Sequence, residues 1–397
     1  MKNNLLLGLA VIAMLFNSCA SDDTADIIIN DNSTTNNGGN GGNTDPDTVF
    51  LSGTYTTDLT LDANNTYVLN GSLIMTSGTT LTIPAGMTIE ALAAGSNVYI
   101  AISEGAQIIA NGTADNPIVL TSNASSPDAG DWGGLIVLGS APINSVSGTA
   151  TATSEIASLP YGGTNVSDDS GIIRYVRVEY SGGAADGQSE NNGFSFYGVG
   201  NGTLVEYIQA FEGKDDGIEF FGGTVNASYV SVVNAQDDSI DWTEGFSGTI
   251  TNAYVKHGTD HDKGIEADGY NTDIGNNSNP VFFSMPSVNN LTIEGLGSST
   301  GNEAIRLRAG TQGIFNNVML TGFAEGFDLD GDQGDNPTGA GVIAGDLSVT
   351  DVTFNDVTLK LKNDTGEEFT ESDFISGDGN GTGTDYAAWG ANWTVGN

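Results

Sequence analysis

Glu219, Asp241 and Glu266 hold the same place in a short phrase that returns along the chain. The phrases are Asn192-Gly193-Phe194-Ser195-Phe196, Asp216-Gly217-Ile218-Glu219-Phe220, Asp238-Ser239-Ile240-Asp241-Trp242, Lys263-Gly264-Ile265-Glu266-Ala267, Glu303-Ala304-Ile305-Arg306-Leu307 and Glu325-Gly326-Phe327-Asp328-Leu329. Within each, a variable residue stands between two apolar ones. That is the period-two pattern of a short strand with one buried face. If the strands stack, the three acids become successive carboxylates about 4.8 Å apart. Like charges that close raise one another's pKa unless a cation intervenes. Asp215, Asp216, Asp237, Asp238, Glu244, Asp262 and Asp268 add to the crowding. Two chemistries suit such a row. One is a site for a hard divalent cation such as Ca²⁺. The other is acid–base cleavage of a glycosidic bond, in which one carboxyl group protonates the leaving oxygen and a second works opposite it.

The elements that must position these acids follow from the spacing. Counted from the third residue of each phrase, the steps are 24, 22, 25, 40 and 22. A period of this length means stacked supersecondary units, and the long step implies an insertion around Tyr270–Pro286. A second strand series runs through Tyr175, Tyr207, Tyr229 and Tyr254 and continues through Asn290, Asn317 and Asp356. Two or three strands per turn of about 22 residues, with Gly-rich corners, describe an all-β chain: a right-handed parallel β-helix. Its inward column is expected to be Phe194, Ile218, Ile240, Ile265, Ile305 and Phe327. Its outward row would be Ser195, Glu219, Asp241, Glu266, Arg306 and Asp328.

Other residues carry weaker signals. Asp328, Asp330, Asp332 and Asp335 alternate like a calcium loop, although Gln333 stands where an EF-hand has its Gly. The four tyrosines would stack on one outer face. That face is either a sugar-binding surface, since aromatic rings offer apolar area with a polar tip, or the support of a covering loop. Arg306 is a candidate ligand-binding cation or a partner of Glu266 or Asp328. Asp237-Asp238, His257-Gly258 and Arg306 resemble the acid, His and Arg of polygalacturonases. His257 falls at an inward position, where a buried, hydrogen-bonded ring is expected; His261 is expected in solvent. Residues 141–170 read as a long loop or side insertion. Residues 385–393, with Trp389 and Trp393, are expected to cover the open end.

Composition narrows the class. The chain has 397 residues, 56 of them Gly, and a net charge of −40 with only 10 Lys and Arg. Such a charge excludes nucleic acid as a partner, because phosphates would be repelled. The single cysteine, Cys19, excludes an internal disulfide framework. Residues 1–18 read as a signal peptide, with an apolar run too short to span a bilayer. Leu15-Phe16-Asn17-Ser18-Cys19 resembles a lipobox, which implies a lipidated Cys19 anchored by buried acyl CH₂ groups. Residues 19–48 read as a flexible tether, and residues 49–397 as the β-helix domain.

The runs Thr80–Gly86, Gly112–Ser122, Gly130–Gly139, Gly171–Tyr180 and Phe220–Ala227 resemble those of surface lipoproteins of the Bacteroidota. That resemblance implies a right-handed β-helix held at the outer membrane and facing the cell exterior, and names no active site. The expected function is binding of glycan or another nutrient without turnover, beside an outer-membrane uptake system; polysaccharide cleavage and a structural or adhesive role are the alternatives. A groove lined by Glu219, Asp241 and Glu266 would favour cleavage. Exposed tyrosines would favour binding, and a covered face the structural role.

Overall fold

The computed structural model describes residues 48–144, 151–184, 191–272, 280–331 and 337–396. The leader, Cys19, nearly all of the tether, Asp332 and Asp335 lie outside the described residues.

Alternation along each phrase produces the expected strand. Its apolar residues leave water while its backbone pairs with the coils on either side. Twenty-two strands join in one sheet, and neighbouring coils pair in parallel. Phe194, Ile218, Ile240, Ile265, Ile305 and Phe327 form one unbroken register column. All six are buried. The insertions fall in the corners, so the register survives the 40-residue step from Ile265 to Ile305.

Each coil has three walls. Gly171–Glu179 pairs with Gln107–Asn111 through its first half and with Ile118–Ser122 through its second. Phe194–Tyr197 pairs with Leu135–Leu138 on the third wall. The bend inside the long strands is made by one residue in the left-handed region. The column is Tyr175 (φ 49°), Tyr207 (54°), Tyr229 (58°), Asn252 (58°), Asn290 (57°), Asn317 (59°) and Asp351 (54°). Asn and Asp tolerate this conformation better than most residues. The asparagines also form a ladder: Asn290 Nδ2 donates to Asn252 Oδ1 at 3.0 Å, and Asn317 Nδ2 to Asn290 Oδ1 at 2.8 Å.

This bend corrects two sequence alignments. Tyr254 pairs with Ser231, two residues beyond the bend, and Asn252 takes the place expected for it. Asp351, not Asp356, continues the column past Asn317. The common property of the column is a positive φ, which aromaticity does not report.

The C-terminal segment is also placed differently from expectation. The core's last layer is covered by Phe374, at the end of the helix Glu371–Phe374, whose ring meets Phe327 edge-on at 5.3 Å. Residues 382–396 instead run back along one wall as a strap. Thr382 N and Gly383 N donate to Asn317 Oδ1, and Thr384 N donates to Thr292 Oγ1. The Tyr386 ring stacks on Tyr254 at 3.8 Å. Val395 N donates to Gln209 Oε1 at 2.9 Å, and Arg177 Nη1 donates to Trp393 O at 2.6 Å.

Candidate active site

The outward row forms as the alternation requires: Ser195, Glu219, Asp241, Glu266, Arg306 and Asp328 are register neighbours on successive coils. A second row of acids begins three residues earlier on each strand. Asp216 Oδ1 accepts from Asp238 N at 2.9 Å, and Asp238 Oδ1 from Lys263 N at 2.7 Å. Each carboxylate thus ties its coil to the next. The two rows wall a cleft of about 570 Å³. Ten carboxylates line it, against three cations: Lys263, Arg306 and Arg308.

The cations divide the cleft into two halves. Lys263 Nζ lies 2.9 Å from Glu266, 2.5 Å from Asp262 and 3.8 Å from Asp238. Arg308 pairs with Glu266 through Nη2 and with Asp268 through Nε at 2.6 Å. From the Glu266 coil onward, charges alternate. The two preceding coils contribute Asp216 and Glu219, then Asp238 and Asp241, and give the cleft no cation of their own.

Protonation follows this division. Burial, then Asp215 and Asp241, push Asp216 well above the usual carboxylate range. Burial, then Asp241 and Glu155, do the same to Glu219, against the Asn192 amide that donates to Glu219 Oε2 at 2.6 Å. Burial, then Glu266, raise Asp238. Asp241 is raised by burial and by Glu266, Asp268 and Asp238, against the Arg308 guanidinium, which acts to lower it. Burial opposes the Lys263 ammonium, but Asp238 and Glu266 outweigh it and hold its pKa above the ordinary value. Glu219 and Asp241 are half-buried and open to the cleft, whereas Asp216 and Asp238 are buried. Asp241 Oδ1 is itself inaccessible and accepts no hydrogen bond among the described residues.

Other candidates sit as follows. Arg306 pairs with Asp330, its Nε donating to Oδ2 at 2.8 Å, and not with Glu266 or Asp328. Glu266 goes to Lys263 and Arg308, and Asp328 to Lys362 at 2.9 Å. The described members of the expected calcium loop, Asp328 and Asp330, are therefore both held by side-chain cations. Carboxylate oxygens close enough for a shared hard cation occur around Asp328, with Glu303 and Glu325, and also in the cleft, in the trios Asp216–Glu219–Asp241 and Asp238–Asp241–Glu266, each within 4.8 Å.

Tyr175, Tyr207 and Tyr229 do stack, at 4.3 and 4.1 Å. Their faces meet one another, and Trp393 and Trp389 close on their edges under the strap. Tyr254 is buried and donates to Glu294 Oε2 at 2.9 Å. His257 is buried as expected, with the Lys263 backbone beside its ring. His261 lies against it at 4.1 Å.

Several cleft residues escaped the sequence reading. The loop within residues 141–170 holds a hairpin that pairs Ala152–Thr153 with Pro160–Tyr161 and brings Glu155 to the cleft. Tyr161 OH anchors it by donating to Glu244 Oε2 at 2.7 Å. Lys263 opens one of the phrases, so the repeat located it, whereas Arg308 stands one residue past the end of its phrase and was not singled out. Their partners lie on neighbouring coils, and no linear signal named those.

Fold and cleft together define a parallel β-helix with a polar, acid-walled groove on one wall. The chain belongs to the pectate-lyase-like β-helix domain family, whose model matches residues 53–394. Among solved structures it is similar to a family 28 exopolygalacturonase of Yersinia enterocolitica. The identity is 13% over 78% of this chain and 74% of that one, with a TM-score of 0.20. No curated protein matches it.

Proposed function

We propose that this chain is a polysaccharide-cleaving enzyme whose active site is the acid-walled cleft. One observation carries the reading: Asp241 and Glu266 are register neighbours whose surroundings differ in kind. Asp241 has no ion pair among the described residues, and burial with the charges of Glu266, Asp268 and Asp238 pushes it toward its protonated form against the pull of Arg308. Glu266 is ion-paired to Lys263 and Arg308. Two carboxyl groups placed in contrasting environments are the usual basis for separate acid and base roles.

In the proposed reaction the Asp241 carboxyl gives its proton to the glycosidic oxygen as the C–O bond breaks. The Glu266 carboxylate takes the anomeric carbon as a glycosyl ester. Water then hydrolyses the ester, with Asp241 accepting the water's proton and Glu266 leaving as carboxylate. The close spacing, with ligand oxygens within 4.8 Å, supports this retaining route. An inverting pair stands about 6.5–9.5 Å apart to admit a water. Glu219, with Asn192 on its oxygen, would support the proton on Asp241. Tyr175, Tyr207 and Tyr229 line a second cleft of about 500 Å³ beside the strap, with Trp389; its one carboxyl group, Asp385, gives it no acid–base pair, so it suits sugar contact and not cleavage. The lipobox-like leader and tether support a setting at the outer surface of the outer membrane, where such a cleft would meet extracellular polymer.

The test is incubation of the purified protein with a panel of neutral, acidic and amino-sugar polysaccharides. New reducing ends from the wild type, and none from Asp241→Asn or Glu266→Gln, are expected. Glycan retention without new ends would return the chain to capture without turnover.

A further inference from the structure

We infer that the second cleft is a groove for an uncharged, unbranched glycan, which it holds along the axis of the β-helix without cleaving it. This goes beyond the reading of the acid cleft and does not depend on it. Tyr175, Tyr207, Tyr229 and Asn252 take one bend position on four successive coils and line one side of the groove. Trp389 and Asn392 of the strap line the other. The first ground is the chemistry of this lining. It holds no ammonium or guanidinium group, and its one carboxyl group, Asp385, accepts from Ala388 N at 3.2 Å. A polyanion would meet no counter-charge there and would be repelled by the net charge of −40. Neutral sugars match aromatic bodies that carry polar tips.

The second ground is a row of hydrogen-bonding groups at coil spacing. In the asparagine ladder the amide donors run one way, from Asn317 to Asn290 and from Asn290 to Asn252. Asn252 is the last rung, and its own amide donor is free among the described residues. The tyrosine coils continue from there. Their rings are half-buried and nearly parallel, and burial with the flanking Tyr229 and Tyr175 hydroxyls raises the Tyr207 pKa, so these groups stay protonated donors. Successive coils lie about 4.8 Å apart, close to the advance of one sugar residue in an extended glycan. Each coil can therefore meet one residue of the polymer.

The third ground is the cost of placing tyrosines here. All three adopt a left-handed φ of 49–58°, which is unfavourable for a bulky residue. Later coils put Asn at the same bend, and Asn317 still holds the strap through Thr382 N and Gly383 N. Attachment of the strap thus does not require tyrosine, whereas a glycan groove gains from it. Backbone strain of this kind concentrates at functional sites. The strap's aromatic side is set before binding, because Trp389 Nε1 donates to Thr384 Oγ1 at 2.8 Å. A fixed ring loses little freedom when a ligand packs on it.

Affinity electrophoresis of the full chain tests the inference, in native gels that contain a mixed-linkage β-glucan, a glucomannan, a β-1,4-galactan or polygalacturonate. Expected is retardation by at least one neutral polymer and none by polygalacturonate. Tyr207→Phe combined with Tyr229→Phe removes two hydroxyls and keeps the ring stack. It should weaken the retardation about fivefold or more at an unchanged melting temperature. Trp389→Ala, run well below its melting point, should abolish it. Asp241→Asn, which alters the acid cleft alone, should be retarded like the wild type. The inference is overturned by no retardation in any neutral gel, by polygalacturonate retarding as strongly as the neutral polymers, by retardation that survives both groove changes, or by its loss in Asp241→Asn. New reducing ends are a separate readout. Their absence counts only against the enzyme reading, and the groove variants should leave cleavage of short soluble oligosaccharides as it is in the wild type.

Discussion

Glu219 and Asp241 face one another in register on adjoining coils, and neither coil gives the cleft a cation. Burial raises both groups, and Asp241 is the main charge acting on Glu219. The fold fixes this proximity, since adjacent strands lie about 4.8 Å apart.

The first consequence is a stability that falls as pH rises. A carboxyl group whose folded pKa exceeds its unfolded value binds more protons in the folded state. Its contribution is therefore complete below the ordinary carboxylate range and is lost as pH climbs through the raised folded value. Asp241→Asn and Glu219→Gln should each raise the melting temperature at neutral pH and flatten the decline above about pH 4. The gain should grow steadily as pH rises above the ordinary carboxylate range. Melts across pH check it. A loss of stability in both variants would show that the acids are stabilised as anions.

A divalent cation should act on the same groups. Excess calcium relieves the repulsion among Asp216, Glu219 and Asp241, whose oxygens lie within 4.8 Å. It should raise the melting temperature more at alkaline than at acid pH, where protons compete. Asp241→Asn should lose most of the effect, as read by paired melts with calcium and with chelator.

His257 works in the opposite sense. Burial, then the His261 ring beside it, lower its pKa to about 3. The unfolded chain takes up the proton near the ordinary histidine value, about 6.5. Stability from this group is thus full above that value and is lost as pH falls toward 3. His257→Phe, packed against Phe323, should reduce the acid sensitivity between these limits by a few kcal/mol. Denaturant titrations of both proteins at several pH values measure it.

How much of this the sequence discloses depends on what fixed each residue. The inward column from Phe194 to Phe327 and the outward row through Glu219, Asp241 and Glu266 were legible, because strand alternation and coil period set both. The partners of Glu266 were not, since Lys263 lies three residues before it and Arg308 comes from the coil beyond the 40-residue step. Tyr254 was misplaced because the bend selects a left-handed φ, which Asn252 adopts as well as a tyrosine does. The strap was read as an end cap. Its tryptophans announced burial, but only the tertiary register shows which wall they bury.

The strap gives a prediction separate from the cleft. Trp393 is fully buried, edge-on to Tyr175 and Tyr207. Trp393→Ala should destabilise the fold by about 3–5 kcal/mol. The cleft lies on another wall, so cleavage at a temperature well below the lowered melting point should be unchanged. Thermal melts and an activity assay on the same sample separate the two effects.

The account's central claim is that a cleft carboxyl group keeps its proton above the ordinary carboxylate range beside an ion-paired neighbour. Carbon-detected NMR of the Asp241 side-chain carboxyl, assigned by its loss in Asp241→Asn and followed across pH, tests this most directly. The account predicts a titration midpoint well above the ordinary aspartate value of about 3.9. A midpoint at or below that value would contradict it.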